Sequence, residues 1–159
     1  MIGIAPVREA GLRFTWDWMQ RYKKQMVDDG CPQSFEQLRE KYLNDEARGS
    51  RSYEITEDSA IVGTVWFEAI RDGMFIGHLV FAKNSSPTGE KMKAVRMALA
   101  DLFTHGARKV CWMFLADNRA FRIFLKRLGA TWEGVFKQQT RCDGKLADVA
   151  YMASFAEEA

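Results

Sequence analysis

The sequence is poor in the residues that mark secreted, zinc-bound or multi-domain chains. Its 159 residues include only three cysteines, three prolines and two histidines. Cys31, Cys111 and Cys142 are odd in number and show neither C-x-x-C nor Cys/His ligand spacing. That pattern reads as thiols in a reducing compartment and argues against a disulfide framework or a structural zinc. No uncharged apolar stretch approaches the roughly 18 residues a membrane span needs. The opening Met1-Ile2-Gly3-Ile4-Ala5-Pro6-Val7 has no basic n-region and is interrupted by Pro6 and Arg8, so it does not read as a signal peptide. A net charge of +2 and a pI near 8.4 are too slight to argue for a nucleic-acid or membrane partner. With no repeat, low-complexity tract or Pro/Gly-rich linker, the expectation is one cytoplasmic domain over 1–159.

What is present is core material: 47% of residues are hydrophobic and 13% aromatic. Leu12, Trp16, Met19, Tyr22 and Met26 recur at helical steps until Gly30 and Pro32 intervene. Ser34 and Gln37 form an S-x-x-Q capping box ahead of Phe35, Leu38 and Tyr42, which predicts a second helix. From Tyr53 the period becomes two, and residues 53–56, 61–69 and 74–82 read as an antiparallel meander. A polar loop leads to a helix over 89–104, with Thr88 as its expected N-cap. A covered strand follows at 109–115, then a helix over 118–128 stopped by Gly129. Strands at 131–141 and 146–155 are joined by Cys142-Asp143-Gly144-Lys145, a D-G hairpin signal. The fold class is therefore α+β, a mixed, mostly antiparallel sheet with helices on both faces.

Three local patterns carry a family resemblance. Asn118-Arg119-Ala120-Phe121, then Phe124-Leu125-Lys126-Arg127-Leu128-Gly129-Ala130, Trp132-Glu133-Gly134-Val135, Asp143-Gly144 and Asp148 form the longest of them. Ile76-Gly77-His78-Leu79-Val80-Phe81 is the second, and Ser86-Pro87-Thr88-Gly89-Glu90-Lys91 the third. Together they resemble the GNAT superfamily of N-acetyltransferases over about residues 50–155, closest to the branch that acetylates the N-termini of ribosomal proteins. The family's (Q/R)-x-x-G-x-(G/A) loop is reduced here. Gly89 keeps its first glycine, Ser86 stands for Gln or Arg, and Lys91 stands for the second small residue.

The resemblance implies acetyl-CoA as cofactor and a primary amine, of a small molecule or peptide, as acceptor. It assigns cofactor contacts to Leu79, Val80 and Phe81 on the central strand, to Ser86, Thr88, Gly89, Glu90 and Lys91 at the loop, and to Asn118. A helix N-terminus with a close-approach glycine suits a pyrophosphate on physical grounds as well. The family's acid is a Tyr where Leu125 stands, or in the ribosomal-protein branch a Ser where Phe121 stands. Its usual Glu register on the central strand is Gly77. The remaining candidates are His78, because imidazole is the side-chain type suited to moving protons near neutral pH, and the hydroxyl of Tyr151. Glu68 and Glu133 are further carboxylates expected near the cleft.

Other readings fit the same residues. Missing acids and a reduced loop are what a catalytically inactive binding or assembly module would carry. The Phe124–Ala130 segment is similar to one in small virion-associated proteins of short-tailed phages. Arg119, Arg122 and Lys126 lie on one helical face but form no long basic stripe with interleaved aromatics, so a nucleic-acid role is weakest. An exposed final strand is expected to offer a homodimer contact.

Overall fold

The computed structural model describes residues 1–27, 30–83, 85 and 87–157. Its elements are β1 (Ile2–Pro6), α1 (Glu9–Arg21) continued by a short 3₁₀ turn, α2 (Phe35–Ala47), β2 (Arg51–Glu57), β3 (Ala60–Arg71) and β4 (Met74–Phe81). Then follow α3 (Thr88–Thr104), β5 (Lys109–Leu115), α4 (Arg119–Leu128), β6 (Thr131–Cys142) and β7 (Lys145–Phe155). The strands form one sheet in the order β1-β2-β3-β4-β5-β7-β6, in which only the β4–β5 pair is parallel.

Local chemistry accounts for most boundaries. Ser34 Oγ accepts from the Gln37 N–H, while Gln37 Oε1 reaches back to the N–H of Gln33 instead of Ser34, so the predicted capping box is closed one residue early. Asn118 Oδ1 accepts from the Phe121 N–H at 3.1 Å and caps α4, and Gly129 ends it at φ 99°. Asp143 and Gly144, both at positive φ, make the tight turn between β6 and β7. The first helix is shorter than its periodicity predicts, because the chain leaves α geometry at Tyr22. Thr88 is not a cap: Pro87 holds that position and α3 begins at Thr88.

Two faces of the sheet differ. On one, α3 and α4 bury Ala94, Val95, Ala98, Leu99, Leu102 and Leu125 against Val65, Phe67, Val110, Trp112 and Met152. On the other, α1 and α2 pack Leu12, Phe35 and Tyr42 against Trp66. A fully buried Glu54 ties down the start of α1 by accepting from the Arg8 N–H and pairing with its guanidinium. The final strand is not an edge, contrary to the sequence expectation. β7 lies between β5 and β6, so both its edges are paired and β6 is the outer strand.

Candidate active site

The site grows from a break in the sheet. β4 and β5 pair only from Met74↔Lys109 to Gly77↔Trp112. Beyond that point β4 continues against β3 as far as Phe81, and β5 continues against β7 as far as Leu115, so the two central strands part. The Ala82 N–H donates to the Val62 carbonyl, which fixes the antiparallel alternation along β4. The backbone groups of His78 and Val80 therefore turn toward β3, and those of Leu79 and Phe81 turn toward the opening. The Phe81 carbonyl is already met there by the Trp18 indole N–H of α1, at 2.9 Å.

Gly77 sits where the strands begin to part, in the register where a family glutamate was expected. A Cβ on it would lie 2.4 Å from the Trp112 ring, so the volume a side chain would need is occupied by that indole. Trp112 is fully buried and donates to Ser154 Oγ at 2.9 Å. On the α4 side of the opening, four rings pack edge-to-face or stacked: Phe81 with Phe124, Phe124 with Phe121, and Phe121 with Phe114. Leu125 is fully buried in α4. Of the two positions of the family's usual acids, Leu125 thus belongs to the core and Phe121, partly buried, packs against it.

The start of α3 lies at the end of β4, since Lys91 Nζ is 5.2 Å from the centre of the Phe81 ring. Pro87 has no side chain that can cap the helix, and among the described residues no side chain accepts from the first N–H groups, Thr88 through Glu90, which a ligand or water can therefore meet. A Cβ on Gly89 would meet no atom within 4 Å. These features fit the pyrophosphate of coenzyme A: open space over Gly89, uncapped donors and a lysine. Glu90 is the one unfavourable charge in that turn. Ser86 lies outside the described residues. Asn118 uses only its carbonyl oxygen in capping α4, which leaves its amide donors available.

His78 projects to the face covered by α1 and α2, next to Trp66, with ring centroids 5.9 Å apart. Its Nε2 is 3.1 Å from Glu68 Oε2; Glu68 Oε1 is 3.3 Å from Lys41 Nζ, which also binds Asp45 at 2.8 Å. His78, Trp66 and Val80 line a cavity of about 40 Å³ together with Leu12, Thr15 and Tyr42. The buried Trp66 indole nitrogen has no partner among the described residues. The hydrogen bond from His78 holds the Glu68 carboxyl at about 2; partial burial opposes this, and Lys41 adds to it.

That shift has a consequence for acid stability. Glu68 in the folded chain lies below its ordinary 4.5, so its contribution is complete above about 4.5 and is lost as pH falls toward 2. In thermal melts over that window, Glu68→Gln is expected to lose stability less steeply than the parent. Parallel slopes would show that the pairing contributes nothing.

Tyr151 shares the sheet face of His78. It lies opposite Met113 on β5, its hydroxyl donates to Gln139 Oε1 at 2.8 Å, and its ring meets Phe136. Two strand spacings, about 10 Å, separate it from β4 before the parting of the strands is added. The two candidates are therefore not in contact and flank the opening. Glu133 is elsewhere: it pairs with Lys109 at the start of β5, at the closed end of the β4–β5 pair. Arg122 stacks over Trp132 at 4.3 Å, a packing role for part of the basic face of α4.

The residues that sequence reading missed are Trp18, Lys41 and Asp45. Lys41 and Asp45 carry a legible i, i+4 signal, but nothing local in the sequence aims them at Glu68. Among the described residues, no helix is long and apolar enough to cross a membrane.

No family model and no curated protein matches the sequence. Solved structures match across nearly the whole chain. A spermidine N-acetyltransferase from Vibrio cholerae, in complex with CoA and spermine, superposes with a TM-score of 0.82 at 17% identity, covering 97% of this chain and 95% of that one. A ribosomal-protein-alanine N-acetyltransferase from Brucella melitensis gives 0.84 at 14% identity, with 97% and 99% covered. RimJ of Mycobacterium smegmatis, in complex with CoA-disulfide, gives 0.79 at 19% identity, with 98% and 82% covered. The chain has the α+β fold of the GNAT N-acetyltransferases. The likeness is one of architecture, including the first fifty residues, where the sequence resemblance was poor.

Proposed function

We propose that this chain is an acetyl-CoA-dependent N-acetyltransferase acting on a primary amine of a small molecule or a protein N-terminus. The observation that carries the reading is the parting of β4 from β5 after Gly77↔Trp112, with the uncapped start of α3 and the open space over Gly89 beyond it. That the similar structures include spermidine and ribosomal-protein acetyltransferases supports it and leaves two acceptor classes in view.

Acetyl-CoA, when bound, supplies an acetyl group activated as a thioester. The first N–H groups of α3, with Lys91 beside them, would hold its phosphates. The Leu79 N–H, turned into the opening, would be the donor for a thioester carbonyl oxygen held there. Val80 contributes packing on the other face, because its backbone is directed to β3. His78 would take a proton from the acceptor amine as its nitrogen bonds the acyl carbon and the C–S bond breaks, and the Tyr151 hydroxyl, hydrogen-bonded to Gln139 at rest, would donate the proton that the departing thiolate needs. Asn118 adds its amide at the lip formed by α4.

The reading is tested by ligand-induced stabilisation. At about one hundred times Kd, a ligand that binds only the folded chain adds roughly 2.7 kcal/mol. For a domain of this size that raises Tm by about 5–11 °C. Gly89→Val should abolish most of the rise while leaving the unliganded Tm little changed, because the new side chain enters open space. Asn118→Ala should reduce it more modestly. If millimolar acetyl-CoA raises Tm no more than ADP does, the acetyltransferase reading fails, and a non-catalytic binding module on this fold is the better account.

A further inference from the structure

We propose that Glu68 is a positioning residue that fixes neutral His78 as its Nε2–H tautomer, so that Nδ1 is the atom that receives the acceptor's proton. The inference deepens the reading above and rests on it for the proton's origin, but not for the tautomer.

The argument is one of donors and acceptors. Glu68 is held ionised, and an ionised carboxylate only accepts. Its Oε2 lies 3.1 Å from His78 Nε2, so Nε2 must carry hydrogen for that contact to be a hydrogen bond. A neutral imidazole has one N–H, which leaves the lone pair on Nδ1. Nδ1 has no hydrogen-bond partner among the described residues, and the side chain as a whole is 51% exposed, so no described group competes for that lone pair. Glu68 is itself held in place. Lys41 binds its second oxygen, Asp45 binds Lys41 from one turn further along α2, and the Lys41 ammonium stands over the Trp66 ring at 5.2 Å. Helix α2 and strand β3 thus set the orientation of a side chain on β4. In the step itself, the N–H bond of the acceptor ammonium breaks and its electron pair stays on nitrogen. The proton passes to Nδ1 and from there to water, while the Nε2–H···Glu68 bond persists and gains strength once the ring is charged.

The other histidine provides an internal reference. His105 Nδ1 lies 2.7 Å from the Asp101 carbonyl oxygen, which can only accept, so His105 carries its hydrogen on Nδ1. The two imidazoles of this chain are expected to be opposite tautomers.

Nitrogen-15 NMR of the histidine side chains, at about pH 8.5, reads this directly, with His105→Gln used for assignment. The expected result is a protonated-type Nε2 and lone-pair-type Nδ1 for His78, and the reverse for His105. Glu68→Ala should give His78 the averaged shifts of a tautomer mixture. Glu68→Gln, whose amide oxygen still accepts, should largely restore the parent pattern. In turnover, Glu68→Ala should lower kcat about 10-fold, a fraction of the ~10²–10⁴ that a general base provides, with acceptor KM little changed and with rescue by Gln. An Nδ1–H tautomer in the parent, or Glu68→Ala spectra and kcat indistinguishable from it, would overturn the assignment. The acetyl-CoA melting shift separates the two claims, because it can fail while the tautomer result still decides this one. Should Glu68→Ala not fold, the parent spectrum and the Gln variant suffice.

Discussion

Replacing His78 by Ala is expected to lower kcat/KM by about 10²–10⁴, the range a positioned general base contributes. The loss should fall on the chemical step and not on binding of acetyl-CoA. The groups proposed to hold that molecule, Leu79 N–H, Gly89 and the first turn of α3, lie on the other sheet face or on the free edge of β4. His78 projects toward α1 and α2 instead. The melting-point rise with acetyl-CoA should therefore survive the substitution almost unchanged. The fold should survive too, since the side chain is half exposed and meets Trp66 at the rim of the small cavity it shares with Leu12 and Tyr42. The diagnostic is the pH–rate profile, whose acidic limb should vanish in the variant. A profile of unchanged shape would remove His78 from the mechanism and leave the acceptor's proton to solvent. Ala at 78 also frees Glu68, so His78→Gln is a useful companion: its amide nitrogen can still donate to the carboxylate without offering a base.

How much of this could be read from the sequence depends on whether the signal was local. Asn118, Gly129 and the Asp143-Gly144 turn each state their role within four residues, because caps and tight turns are short-range chemistry. The compact run Lys109–Leu115 is likewise a strand with the bounds its hydrophobicity gave. β1 was not seen, because five residues ending in Pro6 show no alternation and become a strand only by pairing with β2. The position of β7 inside the sheet is a choice between two edges that a hairpin alone does not dictate. The same limit applies at the site. Gly77 and Trp112 are 35 positions apart in sequence, and only the parallel register brings the ring into the space a glutamate would have used. The network of Asp45, Lys41, Glu68 and His78 spans a helix and two strands, and no spacing rule connects them. The alternation that turns Leu79 into the opening and Val80 away from it was available in principle. It needed the Ala82–Val62 bond to set its phase.

The acceptor preference is expected to follow amine basicity. An α-amino group, with a pKa near 7.7–8.0, is about one-eighth neutral at pH 7, whereas a lysine-like alkyl ammonium near 10.4 is neutral to only about four parts in ten thousand. Any one base therefore removes a proton from the first against a gap about 2.6 units smaller than from the second. The difference of about 2.6 units corresponds to roughly 3.5 kcal/mol, or a few hundredfold. The more basic amine is also the better nucleophile, which offsets part of that gap, so the expected discrimination at pH 7 is about 10²-fold in favour of the α-amino acceptor. Among the charges near the ring, Lys41 is committed to Asp45 and Glu68, and both Glu68 oxygens already have partners. No strong base therefore stands ready for an alkyl ammonium. The comparison to make is kcat/KM for a peptide with a free N-terminus against one with a blocked N-terminus and a single lysine, from pH 6 to 10. The ratio should shrink by about six- to sevenfold for each unit of pH between 8 and 10, as the lysine loses its proton while the α-amine is already mostly neutral. Equal rates near pH 7, or a ratio that does not change with pH, would mean that deprotonation does not limit the reaction and that the acceptor is chosen by contacts alone.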